Sequence, residues 1–135
     1  MALIRSSGHN VTAIDLAASG INSQQPLDVP SISQHFKPLM NFMASLPSNK
    51  KVILVGHSLG GLAISRAMET FPRKISAAVF VSVAMPGPTL NISIIMKELL
   101  RQQNLQLDNR YTYDNGPNNP PTTFNFGQKY LAAYV

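Results

Sequence analysis

Apolar positions along the chain fall into short continuous runs that alternate with helically spaced stripes, and polar stretches separate them. Val52-Ile53-Leu54-Val55 is an unbroken apolar run between Lys51 and Gly56, the pattern of a strand buried on both faces of a parallel sheet. Ile64, Ala67, Met68 and Phe71 then recur at the spacing of one helix face, and Pro72 stops the stripe. Residues 77–83 form another apolar run and predict a further buried strand. Upstream, Val11, Ala13, Ile14 and Leu16 lie between turn-type residues and predict a short strand over 11–16, while residues 2–5 read as the end of a helix. Residues 17–31 are rich in Ser, Gly, Asn, Gln and Pro without periodicity, hence a loop. Phe36, Leu39, Met40 and Met43 mark another helix face, which Pro47 closes and Pro38 either starts or kinks. Strands alternating with helices in this order are the α/β pattern.

After Met85-Pro86-Gly87-Pro88 the character changes. Ile92, Ile95, Met96 and Leu99 predict one more amphipathic helix; residues 108–123 are polar and read as a solvated loop, and 124–135 are weakly helical. A boundary near residue 86 is expected, dividing the chain into 1–86 and 87–135.

Composition narrows the chemistry. The 135 residues amount to one domain or a piece of one. No apolar run approaches the roughly 18 residues of a membrane span, and the first ten residues lack the apolar centre of a secretion signal, so a cytosolic setting without membrane partners is expected. With no cysteine, thiolate metal sites and thiol nucleophiles are excluded. The net charge of +5 is spread out, with only Lys50-Lys51 and Arg73-Lys74 adjacent and no interleaving of aromatic and basic residues of the kind that stacks bases, so no nucleic-acid partner is expected.

The chemically telling motif is Gly56-His57-Ser58-Leu59-Gly60, a G-x-S-x-G between a buried strand and a striped helix. A turn tight enough to expose a serine hydroxyl there strains the serine backbone and leaves room only for small residues two positions before and after it. Gly56 and Gly60 are expected to supply that room. Ser58 is therefore the candidate nucleophile, placed at a helix N-terminus where unpaired N–H groups stabilise developing negative charge, and the Leu59 N–H is an expected oxyanion donor. A chance glycine-rich turn is the competing explanation, and the strand before and helix after the motif argue against it. No metal, nucleotide or other cofactor is suggested.

A serine of this kind needs a base, and in this fold the acid and the histidine follow the nucleophile in the chain. The three histidines are His9, His35 and His57, and none follows Ser58. His57 adjoins the serine on the strained turn and is not expected to fold back onto its hydroxyl. All three histidines fit structural or surface roles better than catalysis. Asp108 and Asp114 lie downstream in the polar stretch and read as solvated loop residues, and Glu69 and Glu98 as exposed helix positions.

Three separated segments, 11–20, 51–61 and 77–80 with Met85-Pro86, resemble the plant methylesterases, a group of α/β-hydrolases that includes hydroxynitrile lyases. Even Phe124-Asn125-Phe126-Gly127 with Lys129-Tyr130-Leu131 resembles part of that family's helical cap. The resemblance implies a partial α/β-hydrolase fold, mostly a parallel sheet with flanking helices over 1–86 and the start of a cap over 87–135. It implies hydrolysis of methyl esters of small plant signalling acids such as salicylate, jasmonate and indole-3-acetate, with a small-molecule ester as substrate and the oligomeric state left open. By family position Ala17 and Ala84 join Ser58 and Leu59 in the pocket. Family members open with a strand and a His-Gly loop and end with strands carrying the acid and the histidine; neither end is present, so this chain resembles a fragment, expected to be inactive alone. The resemblance also places the absent first strand between residues 11–16 and 52–55. His57 before the serine resembles the esterases. The alternatives are a lyase-like enzyme and a non-catalytic protein that binds a small ligand.

Overall fold

A computed structural model of the chain describes residues 2–83, 85, 87, 94, 107–119 and 121–134. They fall into two compact units, Met1–Leu46 and Pro47–Val135.

In the first unit, helix α1 (Ala2–Ser6) forms where a helix end is expected. Residues 11–16, expected as a strand, are not one. A strand exists only through the hydrogen-bonded ladder to its neighbour, and among the described residues no segment pairs with them. Thr12, Ala13 and Asp15 are exposed. Within the expected loop, a turn of 3-10 helix covers Pro26–Asp28. Ser31 caps α2 (Ile32–His35) by accepting the Gln34 N–H at 3.2 Å. The chain then continues into α3 (Lys37–Ser45), with Pro38 in its first turn, where a missing N–H costs no helical bond. Pro38 thus starts the helix. Of the expected stripe, Phe36, Leu39 and Met43 are buried and Met40 is half-buried.

The second unit opens with β1 (Val52–His57), α4 (Gly60–Thr70) and β2 (Ile75–Val81), the strands pairing in parallel with Leu54 opposite Ala78 and His57 opposite Val81. Leu62, Ala63, Ile64 and Ala67 of α4 are buried, as are Leu54 and Gly56 of β1. Burying Leu54, Leu62 and Ile64 contributes about 1.5–3 kcal/mol each. The expected burial of β1 on both faces does not hold: Ile53 is 62% and Val55 63% exposed. Side chains alternate along a strand, so α4 shelters the Leu54 side alone. Met68 of the expected α4 stripe is also exposed, and Phe71 is half-buried.

Further along, the polar stretch contains a strand pair where a loop alone was expected: β3 (Arg110–Thr112) runs antiparallel to β4 (Thr123–Asn125), and α5 (Gln128–Tyr134) follows. Phe124 and Asn125 are strand residues where a weak helix was expected. Tyr111 stacks on Phe124 at 4.7 Å between ring centres, Phe126 meets Phe124 edge-on at 4.7 Å, and Tyr130 stacks on Phe126 at 5.2 Å. These contacts give a pairing of three-residue strands its apolar support. The expected helix through Ile92, Ile95, Met96 and Leu99 lies outside the described residues, and at the expected boundary near residue 86 only Met85 and Gly87 are described. Among the described residues no helix is long and apolar enough to cross a membrane.

Candidate active site

β1 ends at His57 and α4 begins at Gly60, so only Ser58 and Leu59 join strand to helix. The reversal is achieved by Ser58, which takes a left-handed backbone with φ +50°, followed by Leu59 at φ −58° and ψ −27°. A non-glycine residue held there costs about 1–3 kcal/mol and persists only where its surroundings fix it. Three backbone bonds do so. The Ser58 N–H donates to the Val81 carbonyl at 3.3 Å, the Gly61 N–H to the Ser58 carbonyl at 3.1 Å, and the Leu62 N–H to the Leu59 carbonyl at 3.1 Å.

Ser58 is exposed, and among the described residues its hydroxyl makes no hydrogen bond. The Leu59 N–H likewise has no acceptor among the described residues, at the end of α4 where the helix dipole favours negative charge. An exposed hydroxyl beside a free N–H at a helix N-terminus can form an ester and stabilise the oxyanion that precedes it, once a base takes the proton.

The glycines divide the steric work differently from the expectation. A Cβ on Gly56 would stand 2.8 Å from the Gly60 carbonyl oxygen and 2.9 Å from the Ile64 Cδ1, so this position admits no side chain. At Gly60 a Cβ would meet nothing within 4 Å. What matters at Gly60 is its own backbone, onto which Gly56 packs. The second crowded position is Gly61, where a Cβ would run into the Val83 side chain.

The other candidates are more dispersed. His57 is exposed at the strand end, and His9 is exposed in the first unit. Ala17 lies in the first unit, 1% exposed; its N–H donates to the His35 carbonyl at 3.0 Å, and the His35 Nδ1–H donates to the Ala17 carbonyl at 2.6 Å. The carbonyl can only accept, so Nδ1 carries the proton and His35 is a clamp on this loop. Ala84 and Glu98 lie outside the described residues, and Glu69 is exposed on α4.

Asp108 is no freely solvated loop residue. Its carboxylate accepts the Lys129 N–H at 3.0 Å and the Tyr130 N–H at 3.1 Å, capping α5. The Lys129 amide bond, with the Tyr130 amide and the Lys129 charge beside it, outweighs burial and holds the Asp108 carboxyl below its ordinary value. Asp114 accepts from the Thr122 hydroxyl.

Three features have no counterpart in the sequence reading. Ser82 and Ala18 adopt left-handed backbones, φ +46° and +56°. The Tyr111 hydroxyl oxygen is buried without a partner among the described residues, and burial raises its pKa. For Ala18 a signal exists in Asn22, whose Oδ1 accepts the Ala18 N–H at 3.2 Å and the Gln24 N–H at 3.0 Å, a turn chemistry typical of Asn. Nothing in the residue types marks Ser82.

Comparison with known proteins agrees with this geometry. The family described as alpha/beta hydrolase fold matches residues 1–135. Methyl jasmonate esterase 1 of Vitis vinifera is 54% identical over 131 residues, which are 96% of this chain and 50% of that protein. Salicylic acid-binding protein 2 of Nicotiana tabacum is 40% identical over 132 residues, 96% of this chain and 51% of that protein. Among solved structures, a variant of tomato methylketone synthase I complexed with beta-ketoheptanoate is 61% identical, with a TM-score of 0.91 over 98% of this chain and 51% of that one. The chain spans about half the length of the curated relatives it matches. With that match over its whole length and with plant methylesterases among its relatives, the chain belongs to the alpha/beta-hydrolase fold family.

Proposed function

We propose that this chain carries the nucleophile segment of a cytosolic carboxylesterase that cleaves methyl esters of small plant acids such as jasmonate, salicylate and indole-3-acetate. The observation that carries the reading is the left-handed Ser58 between β1 and α4 with its hydroxyl exposed and unpaired among the described residues. The esterase names of the relatives support the substrate class.

In this reading the Ser58 oxygen bonds to the ester carbonyl carbon, the Leu59 N–H holds the oxyanion, and methanol leaves with the serine proton. Water then releases the acid and restores the hydroxyl. Gly56 and Gly60 shape the turn, and Ala17 and Ala84 are proposed as pocket residues on family position alone. The proton must pass through a base, and no histidine follows Ser58 in this chain. Alone, the 135-residue chain is therefore expected to hydrolyse p-nitrophenyl acetate no faster than its Ser58→Ala variant.

The direct test replaces the matched half of the grape methyl jasmonate esterase by this chain and follows methanol release from methyl jasmonate and methyl salicylate. Turnover that Ser58→Ala lowers by roughly 10⁶-fold, the loss seen in other serine hydrolases, supports the reading. Equal turnover with and without the hydroxyl contradicts it.

A second reading follows from the 61% identity to the methylketone synthase structure. Here the pocket takes β-keto acids, which lose carbon dioxide to give methyl ketones, and no acyl-serine forms. The same joined protein offered β-ketoheptanoate separates the two: carbon dioxide release that survives Ser58→Ala supports the second.

A further inference from the structure

Ser82 follows the last residue of β2 and has a left-handed backbone like that of Ser58. Both of its neighbours touch the turn that presents Ser58. On one side the Val81 carbonyl accepts the Ser58 N–H at 3.3 Å. On the other, Val83 packs so closely on Gly61 that a Cβ there would stand 3.0 Å from the Val83 Cβ and closer still to one of its methyl groups.

We infer that Ser82 is a positioning residue: its left-handed turn sets the Val81 carbonyl and the Val83 side chain against Ser58 and Gly61, and so fixes the backbone that presents the serine. Ser82 is exposed, so burial of its side chain does not hold the strained conformation. Strain of this kind is retained where surrounding contacts over-determine it, and the contacts at Val81 and Val83 are those constraints. The role lies in the backbone, so glycine can fill it freely and a β-branched residue cannot. The consequence for catalysis rests on the proposed role of Ser58; the geometric claim does not.

The experiment is amide hydrogen exchange on the full 135-residue chain, comparing the Ser58 amide with that of Ala67 inside α4. Ser82→Gly and Ser82→Ala are expected to leave Ser58 exchange within about twofold of the parent, since both keep the turn. Ser82→Val and Gly61→Ala, which attack the brace from either side, are expected to speed Ser58 exchange by about tenfold or more with Ala67 nearly unchanged. If Ser82→Val does not fold, Gly61→Ala carries the test. The inference is overturned if these variants leave Ser58 as in the parent, if they speed Ser58 and Ala67 equally, or if Ser82→Gly loosens Ser58 as much as valine does. Exchange is read whether or not any ester is turned over, so failure of the esterase reading would leave this result standing.

Discussion

Gly56 and Gly60 are in direct backbone contact across the turn: a methyl group on the first would stand 2.8 Å from the carbonyl oxygen of the second. The contact is one-sided in its demands, because a methyl group on Gly60 would meet open space. Gly56→Ala is therefore expected to lower stability by about 1–3 kcal/mol through overpacking against a backbone that cannot yield. Gly60→Ala, at the first residue of α4, should fold as the parent does. Urea unfolding midpoints check the contrast, and equal losses at the two positions would refute it.

At the serine itself, geometry and chemistry separate under substitution. Ser58→Gly relieves the left-handed backbone and is expected to raise stability by about 1 kcal/mol. Ser58→Ala keeps the strain, so its unfolding midpoint should stay near the parent's. A stabilised glycine variant is the signature of a residue held against its own preference.

The Asp108 cap on α5 predicts an acid-sensitive terminus. Its carboxyl is held below the ordinary 3.8, chiefly by the Lys129 amide, so the native form is the charged one. Its stabilising contribution is complete above that ordinary value and is lost as pH falls through the lowered one. Amide signals of Lys129 and Tyr130 should titrate together below pH 3.8, and Asp108→Ala should abolish the titration and fray α5 at neutral pH.

Tyr111 stacks on Phe124 while its hydroxyl oxygen is buried with no partner among the described residues. Tyr111→Phe keeps the ring and removes the unsatisfied group, so stability should rise by up to about 1 kcal/mol. A loss measured by thermal unfolding would show that the hydroxyl is bonded in solution.

The β1–α4–β2 unit was legible because each part carries a strong local signal: an apolar run before Gly56, a stripe after Gly60, another run after Lys74. What the run of residues 52–55 could not show is how many sides are covered, since a continuous apolar stretch looks the same whether one face or two are sheltered. Residues 11–16 fail as a strand for a related reason, because pairing depends on a neighbour that local sequence does not specify. The β3–β4 pair was missed among polar residues, although Tyr111 and Tyr113 alternate with polar positions and Asn115-Gly116 is a turn signal. At the candidate site, the strain at Ser58 was legible from its glycines. The crowding at Gly61 and the left-handed Ser82 were not, because each depends on where the end of β2 meets α4.

The central claim is that the turn at residue 58 presents a serine that forms an acyl-type adduct when a base is supplied. The most direct measurement treats the joined protein, this chain in place of the matching half of the grape esterase, with a fluorophosphonate and locates the adduct by peptide mass spectrometry. The account predicts a single modification on Ser58 that disappears in Ser58→Ala. Ester turnover with no adduct on Ser58, or with the adduct on another residue, would contradict it.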